Sequence, residues 1–407
     1  MPVDIQGWHK LEKTALVVFG AYGYEEVRTP IAEKTELFVR SIGSGTAVVE
    51  KEMYSFADVS GDNISLRPEG TASVIRAYIE SGAYQADPVA KYIYLGPMFR
   101  RERPQKGRYR QFHQIGVETI GVSDPSIDAE QIAMGGHFFR KLGIKEFATE
   151  LNSLGCKKCR PEYNKIFTEF LKKRHIHLCG DCQRRIEKNP LRAFDCKNPQ
   201  CQEAMEGAPL IGSYLCKECE THFVAVQKNL NLLGEKFVVN HKIVRGLDYY
   251  MRTAFEFTTD KLGAQNAIAA GGRYDGLVKE LGGPDIPGVG FAIGMERVLL
   301  LMDIFGALKK EISDLIFFAL LGDEARMKLM PAINTLRQDG VKVELDYEGH
   351  SLKSQMRRAD KLAAHTVVIV GEDELKKNVA VVRNMRTKAQ EEVHLGDLAR
   401  RFVRVEV

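Results

Sequence analysis

Apolar residues recur at helical spacing near the start of the chain. Leu11, Ala15, Val18, Phe19 and Tyr22 follow Trp8 mostly three and four apart, which predicts a helix, and Gly23 ends it. EEVRTPI reads as extended, since Pro30 biases Thr29 towards the β region. LRPEGTASVIRAYIE reads as a turn leading into a helix. KYIYLGPMFRRE and RYRQFHQIGVETIGV read as two strands around a loop, RPQKGR, whose Pro and Gly break pairing. A helix is expected near 128–142. Short strands and glycine-rich turns resume with VVNHKIVRGLDYYMRTAFEF and AIAAGGRYDGLV, and GVGFAIGMERVLLLM reads as a strand running into a helix.

From about Ser313 the pattern changes. LIFFALL, VKVELDY, TVVIV and VAVV are short apolar runs, separated by the helical stretches DEARMKLMPAINTLRQ and SLKSQMRRADKLAAH. This alternation predicts a small α/β domain with a largely parallel sheet. The first 300 or so residues instead suggest an α+β domain built on antiparallel hairpins. A length of 407 residues fits two or three domains. Hydrophobic content of 44% and charge of 28% describe a soluble globular chain. No apolar run approaches the roughly 20 residues that span a bilayer, and MPVDIQGWHK lacks the apolar segment of a signal peptide. A cytoplasmic protein is expected. The net charge of +4 permits a polyanionic partner without demanding one.

Charge is uneven in one place. FRRERPQKGRYRQFHQIGVE carries Arg100, Arg101, Arg103, Lys106, Arg108 and Arg110 ahead of Gln114 and Glu118. In strands, Arg100 and Glu102 would share a face, as would Phe112, Gln114, Gly116 and Glu118. An arginine on a rigid strand suits a bidentate grip on phosphate or carboxylate. Phe112 offers a face for a base, and Gln114 and Glu118 offer hydrogen bonds to a small polar ligand. Taken singly, each also fits a solvated basic hairpin; their coincidence carries the reading. RGLDYYMRTAFEF adds Arg245 and two tyrosines, AAGGRYDGL adds paired glycines and Tyr274, and GFAIGMERVLL adds Glu296 and Arg297. GxxxxGK[ST], GxSxG and HExxH are absent from the sequence. A phosphate site here must therefore be built from arginines on a sheet.

All eight cysteines lie between Cys156 and Cys219: Cys156, Cys159, Cys179, Cys182, Cys196, Cys201, Cys216 and Cys219. Three of the pairs have C-x2-C spacing, which suits two thiolates on one tetrahedral zinc ion. Eight sulfurs would fill two such sites. Reduced, partly buried thiols are the alternative, and the pairing is not readable from the sequence.

These motifs resemble those of bacterial histidyl-tRNA synthetases, a family of class II aminoacyl-tRNA synthetases, over essentially the whole chain. GYEEVRTP with Pro30 resembles motif 1, FRRERPQKGRYRQFHQIGVE motif 2, and GVGFAIGMER motif 3. RGLDYY and AAGGRYDGL resemble the two histidine-specific motifs. The resemblance implies a class II α+β catalytic domain with an antiparallel sheet at 1–154 and 236–310. It also implies a cysteine-rich, mainly helical insert at 155–235 and a C-terminal α/β anticodon-binding domain at 313–407.

It also implies residue roles. Arg100 and Arg245 would be catalytic, one on either side of the ATP α-phosphate. Arg100, Glu102, Arg108, Phe112 and Arg297 would bind ATP. Glu69, Gly70, Thr71, Gln114, Glu118, Tyr249, Tyr250 and Tyr274 would bind histidine. Arg103 and Gln105 would meet the acceptor end of tRNA, and Lys353, Arg357, Arg358 and Lys361 give the C-terminal domain a basic helix that is either solvated or in contact with tRNA. ATP with Mg²⁺, L-histidine, tRNA(His) and a second copy of the chain are the implied partners, with no membrane. Zinc does not follow from the resemblance, because many bacterial members lack the full cysteine set. Family members usually begin with a further strand, which MPVDIQGWHK does not supply. A second reading is a regulatory paralogue of histidine biosynthesis; such proteins characteristically lack the anticodon domain and parts of the histidine motifs, which are present here.

Overall fold

Alternation along one strand sets the layout of the larger part of the protein. In Gln111–Ile120, Ile115 and Val117 join a buried apolar core, so Gln114, Gly116 and Glu118 face the other side. Phe291 and Ile293 repeat the pattern in Gly288–Gly294, opposed by Gly290, Ala292 and Gly294. One face of the sheet is thereby committed to a core and the other is left to line a cleft.

The computed structural model describes residues 2–103, 107–263, 266–308 and 314–402. Two units are present, one ending at Leu308 and the other formed by the rest of the chain. The first carries β1 (Glu25–Glu26), β2 (Ala32–Lys34), β3 (Tyr54–Ala57), β4 (Asn63–Leu66), β5 (Ala90–Phe99), β6 (Gln111–Ile120), β7 (Ala148–Ser153), β8 (Val238–Val239), β9 (Met251–Thr258), β10 (Ala267–Arg273) and β11 (Gly288–Gly294). Eight form one sheet in the order β1-β5-β6-β11-β10-β9-β7-β8, and β2, β4 and β3 form a small second sheet. Pairing is antiparallel in the centre of the large sheet and parallel only at its edges, β1–β5 and β7–β8. This is the expected α+β architecture. The helix Pro2–Gly20 places Leu11, Ala15, Val18 and Phe19 in the core, as their spacing predicts. The helices Pro125–Lys141, Lys217–Leu232 and Met295–Ile304 complete that layer.

One ion pair is buried within it. Asp128 and Arg273 are both fully buried, with Arg273 Nη2 2.7 Å and Nε 2.9 Å from Asp128 Oδ2. His222 Nε2 lies 3.3 Å from Asp128 Oδ1. Burial pushes the Asp128 carboxyl up, but His222 and Arg273 outweigh it and hold it below the usual range. The pair ties Pro125–Lys141, β10 and Lys217–Leu232 together.

The cysteine-bearing segment is mainly helical, with Arg160–Lys172, Gly180–Lys188 and Pro199–Ala204 ahead of Lys217–Leu232. It has an apolar core of its own. Tyr163, Phe167 and Phe194 stack with centroids 5.6 and 4.9 Å apart, and Leu171, Ile186 and Met205 join them.

The second unit has β12 (Ile316–Leu320), β13 (Val343–Leu345), β14 (Thr366–Val370), β15 (Val379–Asn384) and β16 (Gln390–His394), in the order β13-β12-β14-β15-β16. The sheet is mixed rather than largely parallel: β12 pairs in parallel with β13 and β14, but β14–β15 and β15–β16 are antiparallel. Only the short helix Glu372–Lys377 separates β14 from β15, and a parallel crossover needs a dozen or more residues.

Replacing Asp128 with Ala removes the fully buried counter-charge of Arg273 and leaves it only the partly exposed Asp275, 3.1 Å away. We expect a loss of about 3–5 kcal/mol, read as a shift of the urea-unfolding midpoint of the first unit.

Candidate active site

The cleft face of β6, β10 and β11 meets the loop before Thr71–Glu80 and the segment 245–250. Glu69, Thr71, Gln114, Tyr249 and Tyr250 line one part of the resulting cleft. Arg100, Glu102, Arg108, Phe112, Arg245 and Arg297 line the rest. Residues up to 228 positions apart in sequence, Glu69 and Arg297, thus share one cleft.

Glu69 caps the helix Thr71–Glu80. Its Oε2 accepts from Thr71 N at 2.7 Å and its Oε1 from Ala72 N at 2.9 Å, the arrangement favoured at a helix start. Gly70 lies beneath the Tyr94 ring; a Cβ there, or at Gly116, would overlap that ring. Glu118 and Tyr274 do not line the cleft themselves but sit directly behind Thr71. Thr71 Oγ1 donates to Glu118 Oε1 at 2.7 Å, and the Tyr274 hydroxyl donates to Oε2 at 2.6 Å. Burial pushes the Glu118 carboxyl up to about 8; the two hydroxyls pull it down, and nearby Glu69 adds to the rise. Burial raises Glu69 as well, against its backbone hydrogen bonds. Two buried carboxyls therefore lie close together beside an open cleft.

The hydroxyls of Tyr94 and Tyr249 and Oε1 of Gln114 are buried, and no well-aligned partner takes them among the described residues. Buried polar atoms are normally paired, so these three mark where a polar ligand would bind. The Tyr249 and Tyr250 ring centroids are 4.6 Å apart, and Tyr274 meets Tyr249 edge-on at 5.9 Å.

On the other side, Arg100 Nε donates to Pro68 O at 2.9 Å and its guanidinium lies 5.4 Å from the Phe112 centroid. Arg108 Nη1 pairs with Glu102 Oε2 at 2.8 Å. Arg245 is held by Glu256 at 2.7 Å and stands 5.1 Å from the Tyr250 ring. Arg297 Nη1 donates to Ala267 O at 2.6 Å. β5 ends at Phe99, so Arg100 and Glu102 follow the strand rather than lie in it, although Arg100 N still donates to Arg110 O at 2.9 Å.

Arg103 is exposed, while Gln105 and Lys106 lie outside the described residues. Lys353, Arg357, Arg358 and Lys361 are all exposed on or beside the helix Leu352–Lys361. Sequence reasoning missed Tyr94, and it noticed Glu296 without a role. Tyr94 lines the cleft and stands opposite Gly116 in the β5–β6 register. Glu296 also lines it, and its Oε1 accepts from His113 N at 2.9 Å. Glycine in the middle of the run QIGVE was the available signal for Tyr94, since a strand glycine marks close approach.

The eight sulfurs form two groups of four: Cys156, Cys159, Cys216 and Cys219, and Cys179, Cys182, Cys196 and Cys201. Within each group the ligand atoms all lie within 4.8 Å of one another. Observed Sγ separations include 3.7 Å for Cys156–Cys159, 3.9 Å for Cys156–Cys216 and 3.8 Å for Cys179–Cys196. Four thiolates at roughly 2.3 Å from a tetrahedral zinc have edges of about 3.8 Å, so the donor sets fit that ion.

Comparison with known proteins gives one answer. A family model described as histidyl-tRNA synthetase matches residues 1–157 and 204–298, and one described as anticodon binding domain matches 317–404. The histidine–tRNA ligase of Geobacter metallireducens is 52% identical over 399 residues, covering 98% of this chain and 96% of that one. That of Thermodesulfovibrio yellowstonii is 51% identical over 391 residues, covering 96% and 93%. Among solved structures, apo Staphylococcus aureus histidyl-tRNA synthetase matches with a TM-score of 0.82 and 35% identity, covering 99% of this chain and 97% of that one. An ATP phosphoribosyltransferase regulatory subunit/histidyl-tRNA synthetase from Bacillus halodurans shares the fold at a TM-score of 0.63 and 20% identity, covering 87% and 92%.

At neutral pH a carboxyl near 8 holds a proton. If the ammonium group of an amino acid docks at Thr71, in front of Glu118, its positive charge favours the carboxylate, and binding releases that proton. Calorimetry at pH 7 in buffers of different ionisation enthalpy should report release approaching one proton per histidine bound, and Glu118→Gln should lose it. Equal release in both proteins would remove Glu118 from the binding event.

Proposed function

The chain belongs to the histidyl-tRNA synthetase family, and on that premise we propose that its cleft activates histidine with ATP and then passes the histidyl group to tRNA(His). The observation that carries this reading is the meeting of three arginines, Arg100, Arg245 and Arg297, with a polar pocket in a single cleft.

In the first step a histidine carboxylate oxygen attacks the ATP α-phosphorus, and pyrophosphate leaves. Two anions must approach, and charge builds on the phosphate oxygens. Fixed guanidinium groups stabilise that charge without reorganising, and no protein nucleophile is needed. Arg100 and Arg245 would flank the α-phosphate, with Arg297 on the terminal phosphates. Phe112 would stack on adenine, with Glu102 and Arg108 beside it. The salt bridge to Glu256 keeps Arg245 in place before substrate arrives. Mg²⁺, when bound with ATP, would supply further neutralisation of the phosphates, and the cleft-lining carboxylate of Glu296 is a hard oxygen donor suited to hold it.

Histidine would be read by groups that need a polar partner. Among the described residues Gln114 Oε1 and the Tyr249 hydroxyl have no well-aligned partner, so an analogue without the imidazole nitrogens would leave them poorly paired. Such a site rejects the wrong ligand by roughly 10⁴–10⁵. Glu69, Gly70 and Thr71, backed by Glu118 and Tyr274, would take the amino group, and Tyr250 would close the ring pocket. In the second step a ribose hydroxyl of the terminal adenosine attacks the carbonyl carbon and AMP leaves, with a phosphate oxygen of the adenylate as base. Arg103 and Gln105 would meet the acceptor end of the tRNA, and the second unit, matched by the anticodon-binding model, its other end. We further propose that the chain works as a homodimer in the cytoplasm; no helix among the described residues is long and apolar enough to cross a membrane. By position, 1–154 with 236–310 would be the catalytic domain, 155–235 the insert and 313–407 the anticodon domain.

Arg245→Ala should cut adenylate formation by about 10²–10³ while histidine binding stays measurable. Single-turnover assays decide this, with thermal unfolding alongside because Glu256 loses its partner. Unchanged adenylation would remove Arg245 from the chemistry. For the whole reading, the test is charging of a tRNA(His) transcript with labelled histidine.

The insert would hold two zinc ions, one per group of four cysteines. Zinc supplies no chemistry to the reaction; it cross-links the segment, and such sites are worth about 10–16 kcal/mol in small modules. Metal analysis of protein purified without added metal or chelator should find two ions per chain, matching the two groups, and chelation should unfold the segment. Eight free thiols in a folded insert would rule zinc out.

A further inference from the structure

The two cysteine groups hold different things. Cys179, Cys182, Cys196 and Cys201 all belong to the middle of the insert, and Cys182 and Cys201 pack in its own core. Cys156, Cys159, Cys216 and Cys219 instead join its two ends. The first pair follows directly on β7, and the second opens the helix Lys217–Leu232.

Each end runs on into the histidine pocket. Leu154 N donates to Arg252 O at 2.7 Å, and Arg252 N donates to Gly155 O at 2.8 Å. The β7–β9 pairing therefore continues to the cysteine turn itself. Arg160, next to Cys159, donates from Nε to Leu154 O at 3.0 Å and from Nη2 to Tyr250 O. One guanidinium thus bridges the thiolate turn and the backbone of a cleft-lining tyrosine. Arg252, two residues on, has φ 50°, a left-handed conformation that a non-glycine residue keeps only where its surroundings enforce it. From the other end, His222 reaches Asp128, Asp128 holds Arg273, and the next residue, Tyr274, donates to Glu118.

We propose that the outer group, Cys156, Cys159, Cys216 and Cys219, is a metal clasp that positions the histidine pocket, so that its occupancy sets histidine affinity. The clasp rests on the zinc reading above. An ion in the outer group fixes the turn 156–160, and with it the Arg160 contact to Tyr250 and the strained Arg252. Without the ion, four sulfurs crowd together with nothing to hold them, and the turn loses its anchor. Arg160 is a positioning residue; it is half-buried behind the cleft and does not line it. On the ATP side, Arg100, Phe112 and Arg297 make none of these contacts; Arg245 alone shares a segment with Tyr250.

The test uses the full chain. The double variant Cys216→Ser, Cys219→Ser should lower bound zinc from two ions to one, given the two groups. It should raise the histidine KM between about 10- and 100-fold, with the ATP KM held within about twofold. Amide exchange across 245–254 should accelerate. Cys216→His, which keeps a zinc ligand, should restore both properties. Arg160→Ala should keep both metals and still raise the histidine KM. If wild-type protein holds two zinc ions and the double variant one, but histidine KM and exchange across 245–254 do not move, the clasp is overturned while the zinc reading stands. Wild-type protein without metal would end both, and stoichiometry alone tells the two failures apart. Should the double variant fail to fold, an unchanged histidine KM in Arg160→Ala overturns the proposal.

Discussion

A single buried carboxylate gathers the side of the cleft proposed to take histidine. Glu118 is 1% exposed, and both of its oxygens are bonded, one to Thr71 and one to Tyr274. Those bonds draw three separate parts of the chain together: β6, the start of the helix Thr71–Glu80, and the turn after β10. The neighbouring strand leaves room for it, since a Cβ at Gly290, its partner in the β6–β11 register, would overlap the carboxylate. Burying a carboxyl is costly unless it is hydrogen-bonded, and here the cost is met by hydroxyls rather than by a cation. Burial consequently favours the protonated form, and the carboxyl keeps a preference for a positive neighbour. An amino acid supplies one.

The side proposed to take the phosphates solves a different problem. Its charges are permanent guanidinium groups, each tied to the protein before substrate arrives: Arg100 to Pro68 O, Arg245 to Glu256 and Arg297 to Ala267 O. Their number compensates for the absence of any P-loop in the sequence. Cations held in advance lower the barrier because nothing need reorient as charge develops. The same rigidity asks for support behind the cleft, where the Asp128–Arg273 pair and the outer cysteine turn are found.

Much of this was legible in the sequence, for identifiable reasons. The strands flanking the basic loop could be read because alternation of period two survives in QFHQIGVETI and because Pro and Gly break the run between them. The first helix could be read from Leu11, Ala15, Val18 and Phe19, all buried. Arg100, Gln114, Arg245 and Arg297 could be singled out because charged or amide groups in or just beyond apolar, glycine-bearing runs are hard to explain as core. Tyr94 was not legible, since an aromatic residue in KYIYLGP looks like ordinary strand filling until Gly116 is seen across from it. That Glu118 and Tyr274 stand behind the cleft wall also needed coordinates. Cysteine pairing was illegible in principle: spacing shows pairs, but Cys156 finds Cys216 only after the helices between them have folded back. The mixed C-terminal sheet was misread because apolar runs show strands, not their direction. The short link between β14 and β15 was the overlooked clue.

The central claim is that this cleft makes histidyl-adenylate. The most direct measurement is ATP–pyrophosphate exchange by the purified chain, run with each of the common amino acids in turn. The account predicts exchange that depends on histidine and is negligible with the others, because the unpaired Gln114 and Tyr249 groups are satisfied by an imidazole and not by an apolar side chain. Histidine binding without any exchange would contradict it and favour a regulatory role, and exchange driven by a different amino acid would show that the pocket has been misassigned.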